Sequence, residues 1–227
     1  MEIRWLGHSA FSLEHDGATV LIDPFLTGNP KAAVSADDVV ADTILLTHGH
    51  ADHLGDTVAI ARRTGASVVA IIELAEELRE DLGPDHTIFD PNIGGTVELD
   101  WGSVRLTPAW HTSSTPKGTI NTPAGLVIEI GGKRIYHLGD TALFSDLVLP
   151  KHRGHIDVAL MCIGGHYTMD RFDAVVAAEL VGADQIIPCH YNTFPLIETD
   201  ALAFKQDVQQ AGYAQVVVLE PGQSHAP

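Results

Sequence analysis

Thr47-His48-Gly49-His50-Ala51-Asp52-His53 places three imidazoles and a carboxylate within the six residues from His48 to His53. The apolar run Thr43-Ile44-Leu45-Leu46 comes directly before it and reads as a short buried strand. Leu54 onward reads as a helix, so the cluster falls on a strand-to-helix turn, where several side chains can point at one place. Gly49 lets the backbone bend sharply there. Imidazole nitrogen and carboxylate oxygen form a ligand set suited to divalent zinc, manganese, iron or nickel. Asp52 is expected at the start of the following helix, whose N-terminal partial charge favours a carboxylate.

Further residues of the same chemistry follow at the ends of later apolar runs. His111 comes after a strand-like run, Asp140 lies in His137-Leu138-Gly139-Asp140-Thr141, and His190 in Pro188-Cys189-His190-Tyr191. With His48-x-His50-x-Asp52-His53, and in this order, they resemble the metallo-β-lactamase superfamily. The opening Trp5-Leu6-Gly7-His8-Ser9-Ala10 and the late Tyr191-Asn192-Thr193-Phe194-Pro195 look like the subgroup of metal-dependent hydrolases related to L-ascorbate 6-phosphate lactonase. The resemblance covers essentially the whole chain. It implies an α/β fold of the αββα four-layer type, in one domain over residues 1–227.

The same resemblance implies two ion sites. His48, His50 and His111 would hold one divalent ion and Asp52, His53 and His190 a second, with Asp140 bridging them. Zinc or manganese is expected first, nickel or iron after them. An open coordination position binds water, and a bound dication lowers its pKa from about 15.7 to roughly 7. The implied activity is hydrolysis by a metal-bridging hydroxide of a small-molecule lactone or phosphate ester, with Asp52, Asp140 and His8 in catalytic positions. His8 follows a strand and a glycine, which puts it at the edge where the ligands gather; a structural role is the alternative. His166, in the turn Gly164-Gly165-His166-Tyr167, and Asn192 and Thr193, just past His190, are expected as substrate contacts together with His8. His137 is expected to be structural, and His15, His86, His152, His155 and His225 read as background.

A second class is a mononuclear iron oxygenase of the persulfide dioxygenase type on the same fold, and a third is a binding protein that keeps the fold. A flavodiiron-type redox role fits poorly, since His50 stands where those proteins carry glutamate. A long basic arm of the kind that holds RNA is absent from the sequence. A phosphorylated substrate would call for Arg or Lys at the pocket, and the candidates are Arg4, Lys117, Lys151, Arg153 and Arg171.

Thirteen basic residues against 30 acidic ones leave a formal charge of −17, which two bound dications would raise only to about −13. Such a surface repels nucleic acid and anionic membranes, because affinity for either rests on Lys and Arg neutralising phosphates. The expected partner is a small molecule, with a homo-oligomer compatible with the sequence. The longest apolar runs are far short of a membrane span. Cys162 and Cys189 sit in apolar strand-like runs as free buried cysteines do, which points to a reducing compartment, and nothing at the N-terminus reads as a signal peptide. A cytoplasmic protein is the expectation.

Periodicity supplies the remaining elements. Residues 1–6, 10–14 and 19–22 read as strands, 26–36 as a loop long enough for a lid or subunit contact, and 54–63 and 73–82 as helices. Strands are expected over 67–72, 96–99, 104–108, 125–130, 134–137, 156–163, 186–187 and 215–219. Helices are expected over 143–149, 170–181 and 200–210.

Overall fold

Period-2 alternation and short continuous apolar runs build two sheets, one mainly from each half of the chain, with the last strand returning to the first sheet. The structure is a computed structural model and describes residues 1–227. The first half runs β1 (Glu2–Gly7), β2 (Ala10–His15), β3 (Ala18–Ile22), β4 (Thr43–Leu45), α1 (Ala51–Leu54), α2 (Thr57–Thr64), β5 (Ser67–Val69), α3 (Ile72–Leu82) and β6 (Ile88–Phe89). The second half runs β7 (Thr96–Leu99), β8 (Gly102–Pro108), β9 (Ala124–Ile130), β10 (Lys133–His137), a 3-10 segment (Ser145–Arg153), β11 (Val158–Cys162), α4 (Arg171–Val181), β12 (Gln185–Cys189), α5 (Ala201–Ala211), β13 (Gln215–Val216) and β14 (Ser224–His225).

The first sheet has the order β14-β1-β2-β3-β4-β5-β6 and the second β13-β12-β11-β10-β9-β8-β7. Both are mixed: hairpins give antiparallel pairs, while β3 to β6 and β10 to β13 are parallel. Helices α2 and α3 accompany the first sheet, and α4 and α5 the second. This is the αββα sandwich that the motif order implied. Apolar side chains of both sheets merge into one cluster of 57 buried residues, so the two halves share a continuous core. No helix is long and apolar enough to cross a membrane.

Strand direction decides where function can gather. β1 is antiparallel to β2 and β2 to β3, so β1, β3 and β4 point the same way. By the same count β8, β10, β11 and β12 share one direction. The residues that follow these seven strands therefore collect at one edge of the sandwich.

Local chemistry sets the helix ends. The carboxylates of Asp170 and Asp200 accept backbone N–H groups at the starts of α4 and α5. The single helix expected over 54–63 is two, α1 and α2, broken at Gly55–Asp56. There Asp56 accepts the N–H groups of Leu26 and Thr27 and donates its own N–H to Pro24, which pins the 24–36 loop against the turn. The two-residue edge strands β6 and β14 were not legible as strands.

Candidate metal centre

Seven ligand candidates arrive at that edge from different elements. The turn after β4 brings His48, His50, Asp52 and His53; His111 follows β8, Asp140 follows β10 and His190 follows β12. Gly139, at φ 66°, makes the turn that aims Asp140 inward, and a Cβ there would meet the Ala124 carbonyl at 2.5 Å. The Gly49 N–H donates to Ser113 Oγ (3.0 Å) and Asn121 Oδ1 (3.1 Å), fixing the histidine turn to the loop that follows His111.

The imidazole and carboxylate ends converge in two adjoining groups. His50 Nδ1 lies 3.0 Å from His48 Nε2 and 3.4 Å from His111 Nε2. Asp140 Oδ2 lies 3.1 Å from His190 Nε2, 3.3 Å from His53 Nε2, 3.7 Å from His111 Nε2 and 4.0 Å from His48 Nε2. It thus touches both groups, as a bridging ligand must. His8, Asp52, His53 and His190 also bring ligand atoms within 4.8 Å of one another.

The buried groups here are incomplete as they stand. His53 Nε2, both ring nitrogens of His190 and Asp140 Oδ1 are buried without a hydrogen-bond partner. Unpaired buried polar atoms of this kind are costly, and a divalent cation among imidazole nitrogens and a carboxylate supplies the missing partner. The donor set fits a metal.

Behind the ligands stands Asp23, fully buried directly after β3 and not among the residues the sequence singles out. Its carboxylate accepts the Thr47 N–H (2.8 Å), the Thr47 hydroxyl (2.6 Å) and His53 Nδ1–H (2.7 Å). Since the Thr47 hydroxyl donates to Asp23, its oxygen can accept from His48 Nδ1, 3.0 Å away. In the neutral form, which an entering ion would enforce on His53 by displacing its Nε2 proton, both imidazoles carry their proton on Nδ1 and turn a bare Nε2 toward the site, as a metal needs. The signal for Asp23 was a polar residue after an apolar strand, the same pattern that marked the ligands.

Charge follows from burial and neighbours. Burial lowers the pKa of His48, of His50 and of His111 below the usual 6.5. Burial also works against a charged His53, but Asp140 and Asp23 flank it and hold its pKa well above 6.5. Desolvation would raise the pKa of Asp140, yet His190 and His53 keep it well below the ordinary carboxylate value.

His8 is fully buried, and its pKa is lowered to about 4 by burial and by the neighbouring His190. A neutral His8 donates from Nε2 to Asp52 Oδ2 (3.2 Å) and accepts the Thr193 hydroxyl at Nδ1 (2.9 Å). Its carbonyl accepts the Trp5 indole N–H (2.9 Å) and the His190 N–H (3.0 Å), which ties the turn after β1 to the turn after β12. His8, Asp23 and His190 all adopt left-handed backbone, at φ 56°, 42° and 53°. That conformation costs a non-glycine residue on the order of 1–3 kcal/mol and persists where packing over-determines it.

A cavity of about 500 Å³ opens onto this centre. His50, Asp52, His111, Asp140 and His190 form its floor, and Tyr167, Phe194, Pro195 and Leu196 its wall. The expected substrate contacts stand elsewhere. His8 and Thr193 are buried behind Asp52, Asn192 accepts the Thr199 N–H in a local turn, and exposed His166 packs on Tyr167 without lining the cavity. A larger hollow of about 760 Å³, beside the β2–β3 turn, contains none of the seven ligand candidates.

Comparison with known proteins agrees with this geometry. A model of the "Beta-lactamase superfamily domain" matches residues 2–190. The chain is 45% identical over 226 residues to a UPF0173 metal-dependent hydrolase of Carboxydothermus hydrogenoformans, covering 98% of each chain. It is 46% identical over 230 residues to one from Methanopyrus kandleri, covering 99% of each. Among solved structures, Igni18, a metallo hydrolase of the archaeon Ignicoccus hospitalis, superposes with a TM-score of 0.89 at 39% identity, over 99% of this chain and 97% of that one. A fold that gathers His48, His50, Asp52, His53, His111, Asp140 and His190 at one sheet edge, matched along nearly its whole length, places this chain in the beta-lactamase superfamily, among the UPF0173 metal-dependent hydrolases.

Proposed function

We propose that the chain is a metal-dependent hydrolase, acting as one domain, whose two-ion centre opens a small uncharged ester such as a lactone. The observation that carries the substrate class is the cavity over Asp140 and His190. It has an aromatic and aliphatic wall, and none of its ten lining residues is Lys or Arg. An anionic group remote from the scissile bond would find no cation there, in a chain of formal charge −17. The resemblance to L-ascorbate 6-phosphate lactonase supports a lactone, and the cavity favours one without a phosphate.

Bound divalent ions, zinc or manganese by donor type, supply an ionised water near neutral pH and polarise the carbonyl under attack. The chain's own residues set up that chemistry. His48, His50 and His111 would hold one ion and Asp52, His53 and His190 the other, with Asp140 within reach of both groups. Asp52, held by His8, presents an ionised carboxylate to the cavity that can accept a hydrogen bond from the attacking water and orient it. Tyr167, Phe194 and Leu196 orient the substrate's apolar part and exclude bulk water.

One observation favours a second reading. His53, His190 and Asp140 form a two-imidazole, one-carboxylate set, which also suits non-haem iron, as in an oxygenase of the persulfide dioxygenase type. Metal analysis of the purified protein, followed by assays on lactones, phosphodiesters and a persulfide, separates the possibilities. Two zinc or manganese ions with lactone turnover is the expected result. One iron with oxygen uptake supports the oxygenase, and phosphodiester turnover alone overturns the uncharged substrate.

A further inference from the structure

A third hollow, on the outer face of the second sheet, owes nothing to the metal centre. Along β8, Arg105 and Thr107 alternate with the core residues Val104 and Leu106. Strand register places Val127 of β9 between Arg105 and Tyr136 of β10, and sets Arg134 opposite Glu129. The 3-10 segment Ser145–Arg153 passes over these strands and encloses a cavity of about 310 Å³ with them. That is the lower end of the range for small-molecule sites, about 300–1,000 Å³.

The chemistry of this cavity runs against the rest of the molecule. Arg105, Arg134 and Arg153 line it, three of the 13 basic residues in the chain, and His152 joins them. Asp146 is the one carboxylate in the lining. Arg134 is mostly buried, its side chain only 12% exposed. Glu129 approaches its Nε at 3.4 Å, but that N–H is buried without a hydrogen bond. Its guanidinium rests against Gly154, where any side chain would displace it. Thr107 Oγ1, in a residue just 8% exposed, has the Tyr136 hydroxyl as its one polar neighbour. Loss of solvent, together with nearby Arg153 and Arg134, lowers the pKa of Arg105, as expected where positive groups crowd.

We propose that this cavity binds a small organic anion, its phosphate or carboxylate held by Arg105, Arg134 and Arg153 and its apolar body set against Leu149 and Pro150. Guanidinium groups match such oxygens in bidentate geometry, and Thr107 offers a further donor. Leu149, half exposed at 51%, gives the apolar edge that a bare inorganic ion would not need.

The test is calorimetric titration of the metal-loaded protein with phenylphosphonate, benzoate and inorganic phosphate. It is repeated on the Arg105→Gln/Arg153→Gln double variant and on Leu149→Glu, surface changes that leave the core intact. Saturable one-to-one binding of phenylphosphonate or benzoate is expected, weakened about tenfold or more in both variants, with metal content and hydrolysis unchanged. The preferred probe then identifies the head group. Failure of all three probes to bind overturns the proposal, and so does binding that survives unweakened in the double variant, because the anion is then held elsewhere. A dimer in light scattering that dissociates in the double variant assigns the patch to a second copy of the chain and overturns it as well.

Discussion

Asp23→Asn changes one buried atom and should weaken both ions at once. In the native protein the carboxylate is an acceptor for three donors: the Thr47 N–H, the Thr47 hydroxyl and His53 Nδ1–H. An asparagine that keeps its oxygen on the Thr47 N–H must turn an NH₂ toward the other two. His53 can accept this donor only by moving its proton to Nε2, the atom that faces Asp140 at 3.3 Å. The Thr47 hydroxyl, now an acceptor, sends its proton toward His48 Nδ1 at 3.0 Å and drives the same shift there. His48 belongs to one ion group and His53 to the other. Loss of such an outer partner costs about 10–100-fold in metal affinity, or about 1.4–2.8 kcal/mol per ion. The assay is competition with a chromophoric chelator at fixed pH, with bound metal counted by mass spectrometry and folding followed by circular dichroism. Wild-type affinity for both ions in a folded variant refutes the tautomer argument. Weakening of one ion alone refutes the relay through Thr47.

Other expectations follow from the same geometry. Asp52→Ala should remove about half the bound metal and nearly all hydrolysis, since it opens one coordination sphere; two ions with full activity would end the dinuclear assignment. His8→Ala deprives Asp52 of its hydrogen-bonded side chain, so turnover should fall and the Asp52 ion should exchange about 10–100-fold more readily under a competing chelator, an effect absent if His8 merely packs. Chelation should lower the melting temperature. Ions at 1,000 times their Kd add about 4 kcal/mol, which for a domain of this size is about 8–16 °C, and an unchanged melting point after confirmed metal loss contradicts it. Because burial holds His48, His50 and His111 below 6.5, protons compete with an ion there less than at a free imidazole, and the ion held by these three should be retained at pH 6. Release centred on pH 6.5 would show that the sites are solvated.

Local rules carried much of this protein. Alternation in residues 1–22, the apolar run before Thr47 and the Asp caps at 170 and 200 each act within a few residues, so they can be read from the chain alone. The seven ligand candidates were legible because they cluster in the connections that follow strands, and strands of one direction end at one edge whatever lies between them. Tertiary structure decided what rests on contacts between segments far apart in sequence. The break at Gly55–Asp56 exists because the 24–27 backbone docks there, a contact absent from the 54–63 pattern itself. Asp23 became a support of the centre only through its approach to Thr47 and His53, 24 and 30 residues away. The same holds for the cavity wall: Tyr167, Phe194 and Leu196 look like ordinary loop residues until the turns after β11 and β12 set them beside the ligand cluster. His8 and Thr193 moved the other way, from expected substrate contacts to buried support, because side-chain direction at a turn depends on a left-handed backbone that composition does not encode.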